Sequence, residues 1–404
     1  SKRKDDNLTK AQIGTETLNM QSISKVPVIF GEKDVLKTIQ LLPGVKSAGE
    51  GNSGFYVRGG AADQNLILLD EAPVYNASHL LGFFSTFNSD AIKDATLIKG
   101  NGPAQYGGRL SSVLDVKMKD GNNKNYTVNG GLGLISSRLS IEGPIQEDKS
   151  SFILSGRRTY ADVFLKATDK FKDNILYFYD LNAKANYKID DKNRVYFSGY
   201  FGQDELGLGS SFRINWGNKT GTIRWNRIVN SKLFLNTSFI YSDYSYNVGL
   251  KNGETNFNVN SNIKDVNIKQ DYTYYLNPKN TIRYGFNSIL HTITPSVFSG
   301  TVNNNINKVG RNGLENALYF NNNFKANQQL TFDYGLRISA YSIMGGDEYN
   351  IYNNNAITQS ILLQKNEFGK TYINAEPRFT SNYRINDLSS FKIAYARNVQ
   401  HLHL

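Results

Sequence analysis

The chain has 404 residues, a formal net charge of +11 and no cysteine. The missing thiols exclude disulfide frameworks, thiolate zinc sites and Cys nucleophiles, and they fit an oxidising envelope compartment. Mean hydropathy is −0.45, and no apolar run approaches the roughly 18 residues of a transmembrane helix.

Ser1-Lys2-Arg3-Lys4 opens the chain with a short basic run. The remaining positive charge is scattered, as on solvated loops and a polar lumen, and forms no stripe or module suited to nucleic acid. Attraction to anionic lipid head groups or to an anionic substrate stays open. Ser1 is not an initiator Met and no signal peptide precedes it, so the expectation is a mature chain or a piece of one.

Val35–Leu42, within Glu32–Pro43, predicts a short helix with Asp34 as N-cap and Pro43 as the stop. A Gly-rich loop spans Gly44–Gly54. Phe55–Arg58 reads as a strand ending at Gly59-Gly60, and Asn65–Asp70 as a buried strand. Asp90–Asp94 predicts a helical turn capped by Asn88 or Ser89. Ala95–Lys99 and Val113–Met118 are further strands. Short strands and helices joined by Gly turns indicate a compact α+β unit.

From Asn125 onward the pattern changes. Asn125–Ile135 and Arg138–Gly143 read as a hairpin. Gln146–Lys149 is a tight turn, Ser151–Tyr160 a strand, and Ala161–Ile175 a longer, partly helical loop. In Leu181–Ile189, Leu181, Ala183, Ala185, Tyr187 and Ile189 alternate with Asn182, Lys184, Asn186 and Lys188. Leu330–Ser339 and Ile373–Ile385 repeat the design, with Phe332 and Phe379 on the apolar face and Arg337 and Glu376 on the face expected to meet water. Tight polar turns lie near Asp190–Asn193, Asn230–Lys232, Asn277–Asn280, Asn327–Gln329 and Asn386–Ser389. Long connections run over Asp204–Asn215, Val248–Asn262, Ile293–Asn312 and Met344–Thr371. Short turns on one rim and long loops on the other are how an outer-membrane β-barrel is strung. The composition suits one, because only alternate residues meet lipid, and the 25 Tyr suit its interfacial girdles. A soluble sandwich also alternates, but with strands of about 5–6 residues, whereas these run to about 10–14 and carry charge on the second face. The count reaches thirteen strands at Ser390–Asn398. Single-chain bacterial barrels have even numbers, so a fragment with further strands missing is expected.

LPGV at Leu42–Val45, YVRGG at Tyr56–Gly60, LILLDEAPVYN at Leu66–Asn76 and IKGNGPAQYGGRLSSVLDVKMKDG at Ile98–Gly121 together resemble the plug of TonB-dependent outer-membrane receptors, in the form found in Bacteroidota. The resemblance implies a mainly β fold: a transmembrane antiparallel β-barrel, about 13 strands present of an expected 22, behind an N-terminal α+β plug. It divides the chain into a lead-in at 1–25, a plug at 26–121 and the first part of the barrel at 122–404. It further implies the cell outer membrane as location, with the plug in the barrel lumen. The implied partners are TonB-ExbB-ExbD, reached through a segment upstream of this chain, outer-membrane lipids and a surface-exposed lipoprotein.

By that resemblance Arg58 sits at the "RG" position that pairs with barrel carboxylates and locks the plug, with Arg109 as a second anchor. Gly59, Gly60, Gly107 and Gly108 are expected to serve turns with positive φ; a phosphate loop would need a Lys-Ser/Thr that is not there. Two loops, Lys46–Ser53 and Val74–Phe84, align with the outward plug apex. There Glu50, Asn52, Tyr75, Asn76 and His79 are candidate ligand contacts among aromatics. No enzyme constellation, cofactor motif or metal-ligand set appears: there are four His, and His401 and His403 lack a third ligand. Active import of a bulky nutrient (siderophore, oligosaccharide, peptide or vitamin) is the expected function. A structural or assembly subunit of a larger outer-membrane complex is the alternative, and His scarcity disfavours a barrel-embedded hydrolase.

Overall fold

The computed structural model describes residues 8, 11–23, 33–49, 54–253, 255–300, 310–354 and 356–402. The N-terminal unit contains β1 (Thr15–Asn19), a helix at Val35–Gln40, β2 (Val45–Ser47), β3 (Phe55–Val57), β4 (Asn65–Leu69), β5 (Ala72–Pro73), β6 (Ser78–His79), β7 (Phe84–Ser85), β8 (Ile92–Lys99) and β9 (Ser112–Met118). Five of these strands form one sheet in the order β1-β8-β9-β4-β5, with β4 and β9 parallel. Its core is Val35, Ile39, Phe55, Val57, Phe87, Leu97, Leu114 and Val116, all buried.

Asp34 caps the helix: its Oδ1 accepts from Lys37 N at 3.0 Å, and its Oδ2 accepts from Ser85 N at 2.7 Å, tying the helix to β7. The helix stops at Gln40, two residues earlier than expected, with Leu41 as its C-cap. The helical turn expected over Asp90–Asp94 does not form. Asn88 Oδ1 accepts from Asp90 N, which makes a tight turn, and the chain then enters β8 at Ile92. Thr15–Asn19, read in the sequence as lead-in, is the edge strand beside β8.

The second unit runs through β10 (Thr127–Leu132), β11 (Ser136–Gln146), β12 (Ser150–Thr159), β13 (Ile175–Lys188), β14 (Asn193–Leu208), β15 (Phe212–Ile228), β16 (Leu233–Asn252), β17 (Thr255–Asn277), β18 (Asn280–Gly300), β19 (Arg311–Lys325), β20 (Leu330–Met344), β21 (Asp347–Asn353), β22 (Ala356–Leu363), β23 (Phe368–Arg384) and β24 (Ser390–Ala396). Thirteen of them make one sheet in chain order, with β23 following β20. The tight turns repeat one device. Asn230, Asn277 and Asn327 each accept, through the side-chain oxygen, from the backbone N–H groups two and three residues on. Such Asx turns fix a short reversal without a long loop.

The sheet's polarity is the inverse of a soluble protein's. On β13, Asp180, Asn182, Lys184 and Asn186 are buried while Leu181 and Tyr187 are exposed. On β20 and β23, Arg337, Ser339, Glu376 and Arg378 are buried while Leu336, Ile338, Phe379 and Tyr383 are exposed. An exposed apolar band around a polar inner wall is stable only in lipid. The inner wall, however, does not meet open water: Arg337 and Glu376 are each about 1% exposed, because the N-terminal unit fills the space they face.

Two of the long connections are not loops. Asp204–Asn215 and Val248–Asn262 are mostly strand, and β16 and β17 reach 20 and 23 residues, about twice what crossing a membrane needs. Their upper halves keep the alternation but change its phase. On β16, Leu235, Phe239 and Tyr241 hold odd positions, whereas Tyr244, Tyr246, Val248 and Leu250 hold even ones. A break in phase reads as a loop in sequence, although the ladder continues through it. The connection Met344–Thr371 carries its own hairpin, β21 with β22, and that between Gly300 and Gly310 lies outside the described residues.

Cysteines placed at Leu336 and Phe379 are expected to react with membrane-permeant thiol reagents only. At Arg337 and Glu376 they should resist water-soluble reagents while the plug is seated and react once urea displaces it. Ready labelling at the inner positions of the native protein would show that the plug does not cover them.

Candidate functional site

The segment Val74–Phe84 is fastened to the inner wall at each end. His79, 1% exposed, places Nδ1 2.6 Å from Asp204 Oδ2 and Nε2 3.4 Å from Asp180 Oδ2. Its ring stacks on Phe178 with centroids 4.1 Å apart, and Leu80 N donates to Asp204 Oδ1 at 2.7 Å. At the other end, Asn218 Nδ2 donates to Asn76 O at 2.7 Å, Ser242 Oγ to Pro73 O at 2.7 Å, and Tyr75 OH to Asp265. The geometry thus places His79 inside a plug–wall seam and not on an accessible surface. Tyr75 and Asn76 are half-buried at a cavity edge. Glu50 and Asn52 lie outside the described residues.

A second fastening lies nearer the short turns. Lys184 Nζ is 3.0 Å from Asp70 Oδ2 and 2.9 Å from Asp120 Oδ1, and it donates to Met118 O. Arg224 pairs with Glu71 at 3.1 Å. Asp70 and Glu71 form the two-residue turn between β4 and β5, with φ of 44° and 76°. That hairpin geometry favours Asn-Gly. Two carboxylates stand there instead, and both are spent on the wall. On the far side, Arg378 Nη1 donates to Gly102 O and Pro103 O. None of these wall partners was singled out from sequence, because the paired residues lie far apart in the chain and alternation marks only a polar face.

Arg58 takes φ of 50° and donates from Nη1 to Lys99 O at 3.0 Å. It is exposed, and among the described residues it pairs with no wall carboxylate. Arg109 Nη1 donates to the neighbouring Gly108 O, and its side chain lines a cavity. Gly59 and Gly108 have positive φ, at 83° and 76°. Gly60 and Gly107 do not; they are sites of close approach. A Cβ at Gly107 would lie 2.3 Å from Arg337 Nε, so the plug backbone rests directly on that guanidinium.

Two cavities meet at Tyr75 and Arg109. A narrow one of about 80 Å³ is lined by Glu71, Asp265, Lys269, His291, Glu315 and Arg337. A wider one of about 590 Å³ opens on the side of the tall strands, lined by Ile67, Tyr75, Asn76, Tyr244, Tyr246, Ile263 and Ile293. A further concavity of about 1180 Å³ lies on β10–β13, with Leu139, Ile141, Leu154 and Leu181 in its lining.

Burial by itself would lower the His79 pKa. The charge of Asp204, with hydrogen bonds to Asp180 and Asp204, holds it above the ordinary value. Burial and the Asp265 charge push the Tyr75 hydroxyl well up, so it stays a donor. A histidine pKa raised by folding contributes stability that is complete below the unfolded value of about 6.5 and is lost as pH rises through the folded value. The urea midpoint of plug unfolding should therefore fall from pH 6 upward in the wild type and stay level in His79→Gln. A level wild-type profile would mean that His79 carries no charge in the seam.

Residues 10–112 match the family model for the TonB-dependent receptor plug domain. The fold resembles that of the ferric citrate transporter FecA, with a TM-score of 0.69 at 14% identity, covering 96% of this chain and 62% of that one. The FrpB iron transporter from Neisseria meningitidis gives 0.69 at 14%, covering 97% and 65%. The siderophore receptor PirA from Pseudomonas aeruginosa gives 0.63 at 15%, covering 93% and 73%. No curated protein matches the chain by sequence. The chain spans less than two thirds of the length of the first of these receptors. Residues 10–112 thus carry a TonB-dependent receptor plug domain, and the chain shares the plug-and-barrel fold of these receptors.

Proposed function

We propose that this chain is the plug and adjoining barrel wall of an active importer for a bulky nutrient, driven through TonB. The observation that carries the reading is the plug's polarity across the membrane. The wide cavity lies toward the tall strands, which short-turn parity places outside the cell. The start of the plug lies toward the short turns: Asn382 Nδ2, beside the turn at Asn386–Ser389, donates to Leu8 O at 2.9 Å. A ligand site outside and the plug's N-terminal segment inside are joined by one unit that blocks the lumen. The three structural neighbours, named for ferric citrate, iron and a siderophore, support a nutrient that is too large or too scarce for open diffusion. In this reading Tyr75 and Asn76 touch ligand, while His79, Asp70 and Glu71 hold the plug until TonB pulls on it.

Cells expressing the full-length receptor are expected to accumulate one labelled member of a panel of ferric siderophores, haem, oligosaccharides, peptides and vitamins. Uptake should stop on adding a protonophore or deleting TonB. Receptor-dependent uptake that persists without the proton-motive force would sink active import, and absence of uptake across the panel would favour a subunit role in a larger complex.

A further inference from the structure

Above the lipid band the wall turns inside out. Cross-strand partners share a face of a sheet, so the faces can be followed from strand to strand. In the membrane zone the outer row reads Ile223, Phe239, Ile268 and Ser288, and the exposed apolar side chains are there. In the upper zone the outer row is polar, with Asn215 beside Asn247 and Asn247 beside Asn260. The apolar set has moved to the inner face, where Ile214 pairs with Val248 and Val248 with Val259, one step from Trp216 beside Tyr246. A wall rising into water needs no apolar inner face to be soluble, and apolar surface turned toward a vestibule is typical of a binding surface.

At the floor of this vestibule lies the cavity of about 590 Å³. Its lining includes Tyr75, Tyr244, Tyr246, Ile263 and Ile293, and Arg109 is the one cation among the described lining residues. Arg109 is half-buried and, among the described residues, forms no ion pair; its hydrogen bond is to the carbonyl of its own neighbour. The wall guanidiniums differ: Arg224, Arg337 and Arg378 are each committed to a carboxylate. The cavity's own acid, Asp63, is approached by Gln400. Arg109 also borders the narrow cavity with Glu71, Asp265 and Glu315, but a guanidinium that is in no ion pair among the described residues is a docking point for an anionic group, which it can bind through two parallel N–H donors.

We infer that the vestibule takes an amphipathic anion: a ligand with an extended apolar or aromatic body, held by the inner faces of β16–β18, and one carboxylate, sulfonate or phosphate group set on Arg109. This deepens the import reading and rests on it for the cavity's role as the ligand entrance. A strongly hydrated polyhydroxyl ligand such as an oligosaccharide does not suit these walls, since its hydroxyls would lose water against isoleucine and valine.

The test uses the full-length receptor in lipid nanodiscs, with empty nanodiscs subtracted, and two probes of nearly the same shape. One is 1-anilinonaphthalene-8-sulfonate, which is anionic, and the other N-phenyl-1-naphthylamine, which is uncharged. Both should bind saturably. Arg109→Met should weaken the anionic probe about tenfold or more and leave the uncharged one within about twofold; Arg109→Lys should restore part of the difference. Tyr246→Ser should weaken both. Heat-modifiable gel mobility reports folding for each variant. Equal binding of both probes by wild type, Arg109→Met and Tyr246→Ser would overturn the proposal, as would loss of both probes together in Arg109→Met. Because no step requires energy coupling, failure here leaves the TonB-driven uptake result untouched, and failure of uptake leaves this binding result untouched.

Discussion

A barrel wall in lipid must put its apolar side chains outward, and strict alternation then forces its polar ones into the lumen. Here many of those lumen groups are charged, and the plug covers them. Removing charge from water is unfavourable unless a partner of fitting geometry replaces the water. Everything about the plug's placement follows from that requirement. Lys184, with its side chain 3% exposed, is matched by Asp70 and Asp120, Arg224 by Glu71, and Asp204 by His79 and the Leu80 amide. Arg378 reaches the carbonyls of Gly102 and Pro103, which have no charge to offer but two oxygens in the right place.

The same contacts sit on strained backbone. Asp70, Glu71, Leu80 and Leu81 all have positive φ, a region unfavourable for side chains other than Gly, at a cost of about 1–3 kcal/mol each in the less favourable cases. The wall holds these residues in place, so the plug is at its tightest where its own chain would prefer to relax. Such a seam is stable at rest and needs only its ion pairs broken for the segment to spring away. Under the import function proposed above, that suits a gate opened by pulling from one side. It also explains why a segment that sequence reasoning treats as a ligand loop is partly a fastening: Tyr75 and Asn76 remain at the cavity, while His79 has been drawn into the wall.

Most of the architecture was legible in the sequence, because period-two alternation over long strands leaves one choice of face. Leu181 against Lys184, or Phe379 against Glu376, could be assigned from spacing alone, and the Asx turns at Asn230, Asn277 and Asn327 announce the rim. The tall upper strands were not legible, since the change of phase between Tyr241 and Tyr244 mimics the end of a strand. The seam was not legible either. Lys184 and Asp70 are unremarkable until the fold brings them to 3.0 Å. Arg58, singled out by motif, instead donates to the carbonyl of Lys99 within its own unit.

The central claim is that complementary charge across the plug–wall seam, and not shape alone, holds the plug in the lumen. A double-mutant cycle on Lys184 and Asp70 tests it most directly, using Lys184→Met, Asp70→Asn and the double variant, with plug unfolding by urea as the readout in the lipid-embedded receptor. Either single change is expected to destabilise the plug, the double change to cost little more than Lys184→Met, and the coupling to be about 2 kcal/mol. Additive effects, with coupling near zero, would contradict it and leave packing as the force that seats the plug.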